Sequence, residues 1–97
     1  MRKKEENDNY LNVTQLANNI NKKDVDAIAV NQMFVDIGYV TREKDYHGYN
    51  YYLEEKGEKY GRQKETGDIK STKYYVLYDR AVLNDPDVID YIKSYFH

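Results

Sequence analysis

Two neighbouring amides, Asn31 and Gln32, fall in a stretch of helical periodicity. An amide at such a position can donate to and accept from one adenine edge in a major groove. Lys22 and Lys23 lie just ahead of that stretch and could meet phosphate. Farther along, six cations (Lys56, Lys59, Arg62, Lys64, Lys70, Lys73) oppose three acids (Glu58, Glu65, Asp68), leaving residues 56–73 at a net +3. A positive hairpin can follow a phosphate backbone or enter a minor groove. Each feature also has a plainer reading: Asn31 as a solvated or capping side chain, and residues 56–73 as a mixed-charge solvated loop. The third set is aromatic. Tyr46, Tyr49, Tyr51 and Tyr52 fall within seven residues, and Tyr74, Tyr75 and Tyr78 follow later. Strand alternation turns about half of them outward. Exposed tyrosines give large contact area at low entropic cost, so Tyr46, Tyr49, Tyr51 and Tyr75 are candidates for a protein interface. The remainder serve as cross-strand partners and as core aromatics in a chain without tryptophan.

Catalytic chemistry finds little to work with. His47 and His97 are the only histidines, and neither has a second ligand at metal spacing. Asp85, Asp87 and Asp90 are accounted for by helix capping and the helix dipole. No phosphate loop, nucleophile elbow or paired-acid motif occurs. The expectation is a non-enzyme with no metal, no cofactor and no small-molecule substrate. With no cysteine in 97 residues, disulfides and thiolate metal sites are excluded. The net charge of −2 is neither the basic balance typical of nucleic-acid binding nor acidic enough for a DNA mimic. No apolar run approaches the roughly 18 residues of a membrane span, and Met1–Asn9 has charge but no apolar segment. These features point to a cytoplasmic protein with a disordered lead-in over residues 1–9 and one domain over 10–97. Abundant Asn, Lys, Ile and Tyr suggest an AT-rich genome.

The elements that would position these groups follow from pattern. Leu11-Asn12-Val13 reads as a short strand. Thr14 is placed to cap a short helix over 15–20 that buries Leu16, Ala17 and Ile20. Asp24 then caps a second helix reaching about Ile37, with Val25, Ile28, Ala29, Met33, Phe34 and Ile37 as its apolar set. Gly38 stands where a helix ends in the left-handed conformation. Residues 42–48 read as a charged loop, 49–53 as a strand, and 54–60 as a helical turn closed by Gly61. Residues 62–73 are polar, with a Thr66-Gly67-Asp68 turn. Tyr74-Tyr75-Val76-Leu77-Tyr78 has the strongest strand composition, and pairing it with 49–53 would form an antiparallel wing. Asp85-Pro86-Asp87 opens a last helix over 86–96 that buries Ile89, Ile92 and Phe96, with Val88, Tyr91 and Tyr95 alongside.

This succession resembles a known family. Thr14-Gln15-Leu16-Ala17, Val30-Asn31 through Ile37-Gly38-Tyr39, Glu55-Lys56-Gly57 through Tyr60-Gly61, and Val76-Leu77-Tyr78-Asp79-Arg80-Ala81-Val82-Leu83 are similar to small winged helix-turn-helix domains. These occur in phage and prophage regulators, often as the C-terminal part of phage antirepressor-like proteins. The resemblance spans residues 10–92. It implies an α+β fold of three to four helices with a small β wing, an origin in a phage or mobile element, and a regulatory role. Phe34 stands where leucine is usual, Glu54 where threonine is common, and Tyr78 where tryptophan is usual. The helix over 24–37 carries Asp24, Asp26 and Asp36 and no cation, which departs from a DNA-reading helix.

Two functions remain open at the level of sequence. In the first, a dimeric regulator binds double-stranded DNA through Lys22, Lys23, Asn31 and Gln32 in the major groove and Arg62, Lys64, Lys70 and Lys73 on the wing. In the second, the same fold is an antirepressor or an inhibitor of a host protein, including a host defence system, and docks through Tyr46, Tyr49, Tyr51 and Tyr75. Tyr91 and Tyr95 could support self-association under either. The family resemblance favours the first and the balanced charge the second.

Overall fold

Asn12 sets the start of the first helix. Its side-chain oxygen accepts from the Gln15 N–H and its own N–H donates to the Gln15 side chain, a reciprocal capping box. Helix α1 (Val13–Ile20) therefore begins ahead of the predicted Thr14 cap. It closes on Asn21, whose φ of 54° is the left-handed conformation asparagine tolerates. Leu16 and Ala17 are buried and Ile20 packs beside them, as the periodicity predicts. The computed structural model describes residues 10–67 and 72–96. The lead-in 1–9, the Asp68 of the predicted turn, Lys70 and His97 lie outside them.

Helix α2 (Ala27–Asp36) starts later than predicted. Asp24 belongs to the preceding turn at φ 68°, and Asp26 is the cap, accepting from the Ala29 N–H at 3.0 Å. The inward face is Val30, Met33 and Phe34, all fully buried, while Ile28 is 76% exposed. Two residues turn a helix by roughly 200°, so once Val30 faces the core, Ile28 must point away. Gly38, at φ +84°, ends the helix as predicted. The Gly38 N–H donates to Val35 O and the Tyr39 N–H to Phe34 O, a Schellman motif, with the Tyr39 ring stacked beside Phe34.

Residues predicted as a charged loop form a strand instead. β2 (Val40–Asp45) and β3 (Gly48–Leu53) make an antiparallel hairpin across the two-residue turn Tyr46-His47, with Gly48 at φ +117°. Asp45 holds the turn by accepting from the His47 N–H at 2.8 Å. A second sheet is ordered β1-β5-β4, all antiparallel, from β1 (Tyr10–Leu11), β4 (Gly61–Glu65) and β5 (Tyr74–Asp79). The predicted pairing of 49–53 with 74–78 is not formed: β3 pairs with β2, and β5 with β4 and β1. β3 closes on β2 across the two-residue turn instead of reaching β5 across residues 54–73, the connection of lower entropic cost. The helical turn predicted over 54–60 shrinks to a 3₁₀ turn, Glu55–Gly57, and Gly61 opens β4 rather than closing that turn.

Side chains join the two sheets. Gln63 on β4 accepts from the Leu53 N–H at 2.7 Å and donates to Tyr51 O at 2.9 Å and Tyr75 O at 3.1 Å. Buried Asn50 accepts from the Tyr74 N–H at 2.9 Å and donates to Asp45 at 2.7 Å.

A 3₁₀ turn (Arg80–Asn84) leads into α3 (Pro86–Tyr95), capped by Asp85 with Pro86 in the first turn, as predicted. Val88 is the fully buried residue of α3, and Tyr91, Ile92 and Phe96 pack against the core. Ile89, predicted inside, is not in that set. The core centres on Phe34 and Tyr78, whose rings stack at 4.0 Å. The fold is α+β, with three α-helices and antiparallel sheets among the described residues. No helix among the described residues is long and apolar enough to cross a membrane.

Candidate functional site

The register of the first hairpin sets Arg42 opposite Tyr51 and Lys44 opposite Tyr49. Directly opposed residues share a face of the sheet, so both cations stand among tyrosines. Arg42 lies 4.8 Å from the centre of the Tyr49 ring and Lys44 5.9 Å, the geometry of cation–π contact. Alternation turns Glu43 to the other face, where its charge helps raise the Tyr52 hydroxyl pKa, after burial as the larger cause. In the second hairpin Lys64 is opposite Tyr75 by the same logic. Arg62 lies 4.7 Å from the Tyr10 ring.

Between the hairpins and the start of α1 lies a groove of about 170 Å³ walled by Val13, Asn31, Tyr49, Tyr51, Tyr75 and Val76. This brings together residues from both sequence-level sets: Asn31, expected to read DNA, stands among tyrosines expected to touch protein. Tyr46 is fully exposed at the hairpin tip, edge-on to His47. Lys73 also lines the groove, but its ammonium donates to His47 O at 2.9 Å and sits 3.9 Å from Asp45. Hydrogen bonds from Asn50 and the His47 N–H, and then the charge of Lys73, hold the Asp45 carboxyl below the usual range.

The other expected DNA contacts are dispersed. Gln32 donates to Asp36 at 2.8 Å, and Asp36 accepts from the Tyr91 hydroxyl at 2.5 Å. Gln32 is thus part of a link between α2 and α3. The Tyr91 hydrogen bond, then that of Gln32, lowers the Asp36 pKa, while burial and then Asp36 push the Tyr91 hydroxyl up to about 12. Lys22 and Lys23 are exposed in the turn before α2, with no partner among the described residues. Lys56 donates to Ile37 O at 2.9 Å, at the C-terminal end of α2, and pairs with Asp87 at 3.5 Å.

A second groove, about 350 Å³, runs between the end of α2 and α3. Asp36, Asp87, Asp90, Tyr91 and Tyr95 line it, so its charge is opposite to that of the hairpin face. Tyr95 is 66% exposed there, whereas Tyr91 is engaged with Asp36 and the rings of Tyr95 and Phe96.

Sequence reasoning missed Arg42 and Lys44 as members of the site. The signal was present in the alternation of Thr41-Arg42-Glu43-Lys44-Asp45 ahead of Tyr46-His47-Gly48, but the density of charge reads as loop. Among the described residues no cluster of histidine and carboxylate side chains could hold a metal ion. No model of a known protein family, no curated protein and no solved structure matches the chain.

Proposed function

We propose that this chain is a winged-helix module that regulates by binding another protein through its basic tyrosine face. The observation that carries the reading is the strand register, which pairs Arg42, Lys44 and Lys64 with Tyr51, Tyr49 and Tyr75. Arginine and tyrosine are the residues on which interface energy concentrates. The helix pair α1–α2 followed by a hairpin supports the winged-helix assignment, and the resemblance to phage antirepressor-like proteins supports a host or phage protein as the partner.

DNA reading by the same fold is the second function, favoured by the exposed side chains of Lys22, Lys23, Arg62 and Lys64. Against it, α2 presents Ile28 and Asp36 to solvent and holds the Gln32 amide in an internal hydrogen bond. Phosphate contacts dominate DNA affinity, and an acidic helix weakens them.

The test is affinity purification from the bacterial host, in parallel with the Tyr49→Ala variant, alongside anisotropy with AT-rich duplex DNA at two salt concentrations. The expected result is one protein retained by the native chain and lost with Tyr49→Ala, with no salt-dependent DNA signal. Loss of an anchor tyrosine costs about 2 kcal/mol, roughly thirtyfold in Kd. Micromolar DNA binding that falls steeply with salt, with no Tyr49-dependent protein, would establish the DNA function instead.

A further inference from the structure

We infer that the groove between the two hairpins is a socket for one large apolar side chain, presented on an acidic segment of the partner protein. The inference rests on the reading that this face docks on protein, and adds the chemistry of what it receives.

Size comes first. At about 170 Å³, the groove is close to the roughly 150 Å³ of an apolar cavity that takes up benzene. It holds one phenylalanine- or leucine-sized group and is too small for a helix. The walls agree. Val13, Val76 and the rings of Tyr49, Tyr51 and Tyr75 are apolar surface. The polar groups at its edge are mostly engaged: Asn12 in the capping box of α1 and Lys73 on His47 O. Asn31 makes no side-chain hydrogen bond among the described residues, so its amide is available to a peptide backbone entering beside the anchor.

Charge selects the flanks. Among the described residues no acid lines the groove, and Arg42, Lys44 and Lys64 stand opposite its tyrosines. An apolar residue between glutamates or aspartates satisfies both the socket and the cations. A single-stranded nucleic acid also combines rings with negative charge, but such strands are bound on platforms that stack successive bases. This groove has room for one ring, and the cleft beyond Tyr75 is lined chiefly by Gln63, Lys64 and Glu65 rather than by a run of stacking rings.

The experiment is a titration of the isotope-labelled full chain, followed by amide chemical shifts, with three peptides. Their central residue is phenylalanine or alanine between pairs of glutamates, or phenylalanine between pairs of lysines. The expected result is shifts at Asn31, Tyr49 and Tyr75 with the acidic phenylalanine peptide. Binding should be at least tenfold weaker for each of the other two. Equal binding of the alanine peptide, preference for the lysine peptide, no shifts with any peptide, or tighter binding of an oligothymidylate at the same residues would each overturn the inference. Asn31→Phe, which fills the socket from α2, should abolish peptide binding, and an unchanged circular dichroism melt verifies its fold. Lys44→Glu, on the exposed rim, is an independent variant that leaves the core untouched and should weaken binding of the acidic phenylalanine peptide. A partner protein that is lost with Tyr49→Ala but still binds Asn31→Phe would leave the docking face standing and remove the socket.

Discussion

Asp85 shows how much one buried carboxylate can hold in place. It accepts from the Tyr39 hydroxyl and, at 3.0 Å, from the Tyr60 hydroxyl, and it caps α3 through the Asp87 N–H. Three segments distant in sequence therefore meet on one side chain. Burial opposes its charge, but the hydroxyls of Tyr39 and Tyr60 together with the Asp87 and Val88 N–H groups more than compensate, and its pKa is lowered. Asp36 is lowered as well, chiefly by Tyr91. A depressed folded pKa gives stability that is present above the ordinary carboxylate value of about 4 and is lost as pH falls through the folded value. Urea midpoints should therefore hold from pH 7 to 5 and decline below about pH 4, and Asp85→Asn should flatten part of that decline. Asp85→Ala should cost about 2–4 kcal/mol in urea denaturation, since it removes a cap and leaves two tyrosine hydroxyls unpaired. A loss under 1 kcal/mol would mean that water replaces the carboxylate.

At the scale of elements, two glycines serve different ends. Gly38 is needed for its φ of +84°, and a Cβ there would meet nothing closer than the Lys56 side chain at 3.9 Å. Gly57 is needed for close approach: a Cβ would lie 2.6 Å from Tyr39 O and 2.9 Å from Tyr39 Cβ. Gly38→Ala should cost about 1 kcal/mol, the backbone penalty alone. Gly57→Ala should cost about 3 kcal/mol, because the 3₁₀ turn must move off Tyr39. Equal effects in thermal unfolding would refute this distinction. The hairpins depend on side chains in a similar way. Gln63→Leu keeps the volume but loses three hydrogen bonds, two of them between the sheets. Amide exchange at Leu53, whose N–H would lose its acceptor, should speed up well beyond the change at Val30 in the core. Unchanged exchange at Leu53 would show that packing alone joins the sheets.

Over the whole molecule, a net charge of −2 conceals two surfaces of opposite sign, the basic hairpin face and the acidic groove beside α3. Much of the fold was legible without coordinates. Gly38 ends α2 because few residues other than glycine enter the left-handed region without strain, and Asp85-Pro86 opens α3 because proline suits the first helical turn. Leu16, Met33 and Phe34 are inside because their spacing keeps one helix face apolar. The tyrosine surface was legible as composition, and Tyr46, Tyr49 and Tyr75 are exposed. Local chemistry alone thus determined which segments are helical, the glycine stop of α2, the Asp85-Pro86 start of α3 and the aromatic character of the surface, since φ preference and periodicity act within a few residues. The starts of α1 and α2, by contrast, fell to Asn12 and Asp26 rather than to Thr14 and Asp24. Strand partners, and with them the face each charge occupies, were decided only in three dimensions. Register is set by which loop closes and by cross-sheet bonds such as those of Gln63 and Asn50. Whether Asn31 looks into a groove while Gln32, its neighbour, is tied to Asp36 is likewise a matter of what packs against α2, because adjacent helical residues point about 100° apart and distant segments supply their surroundings.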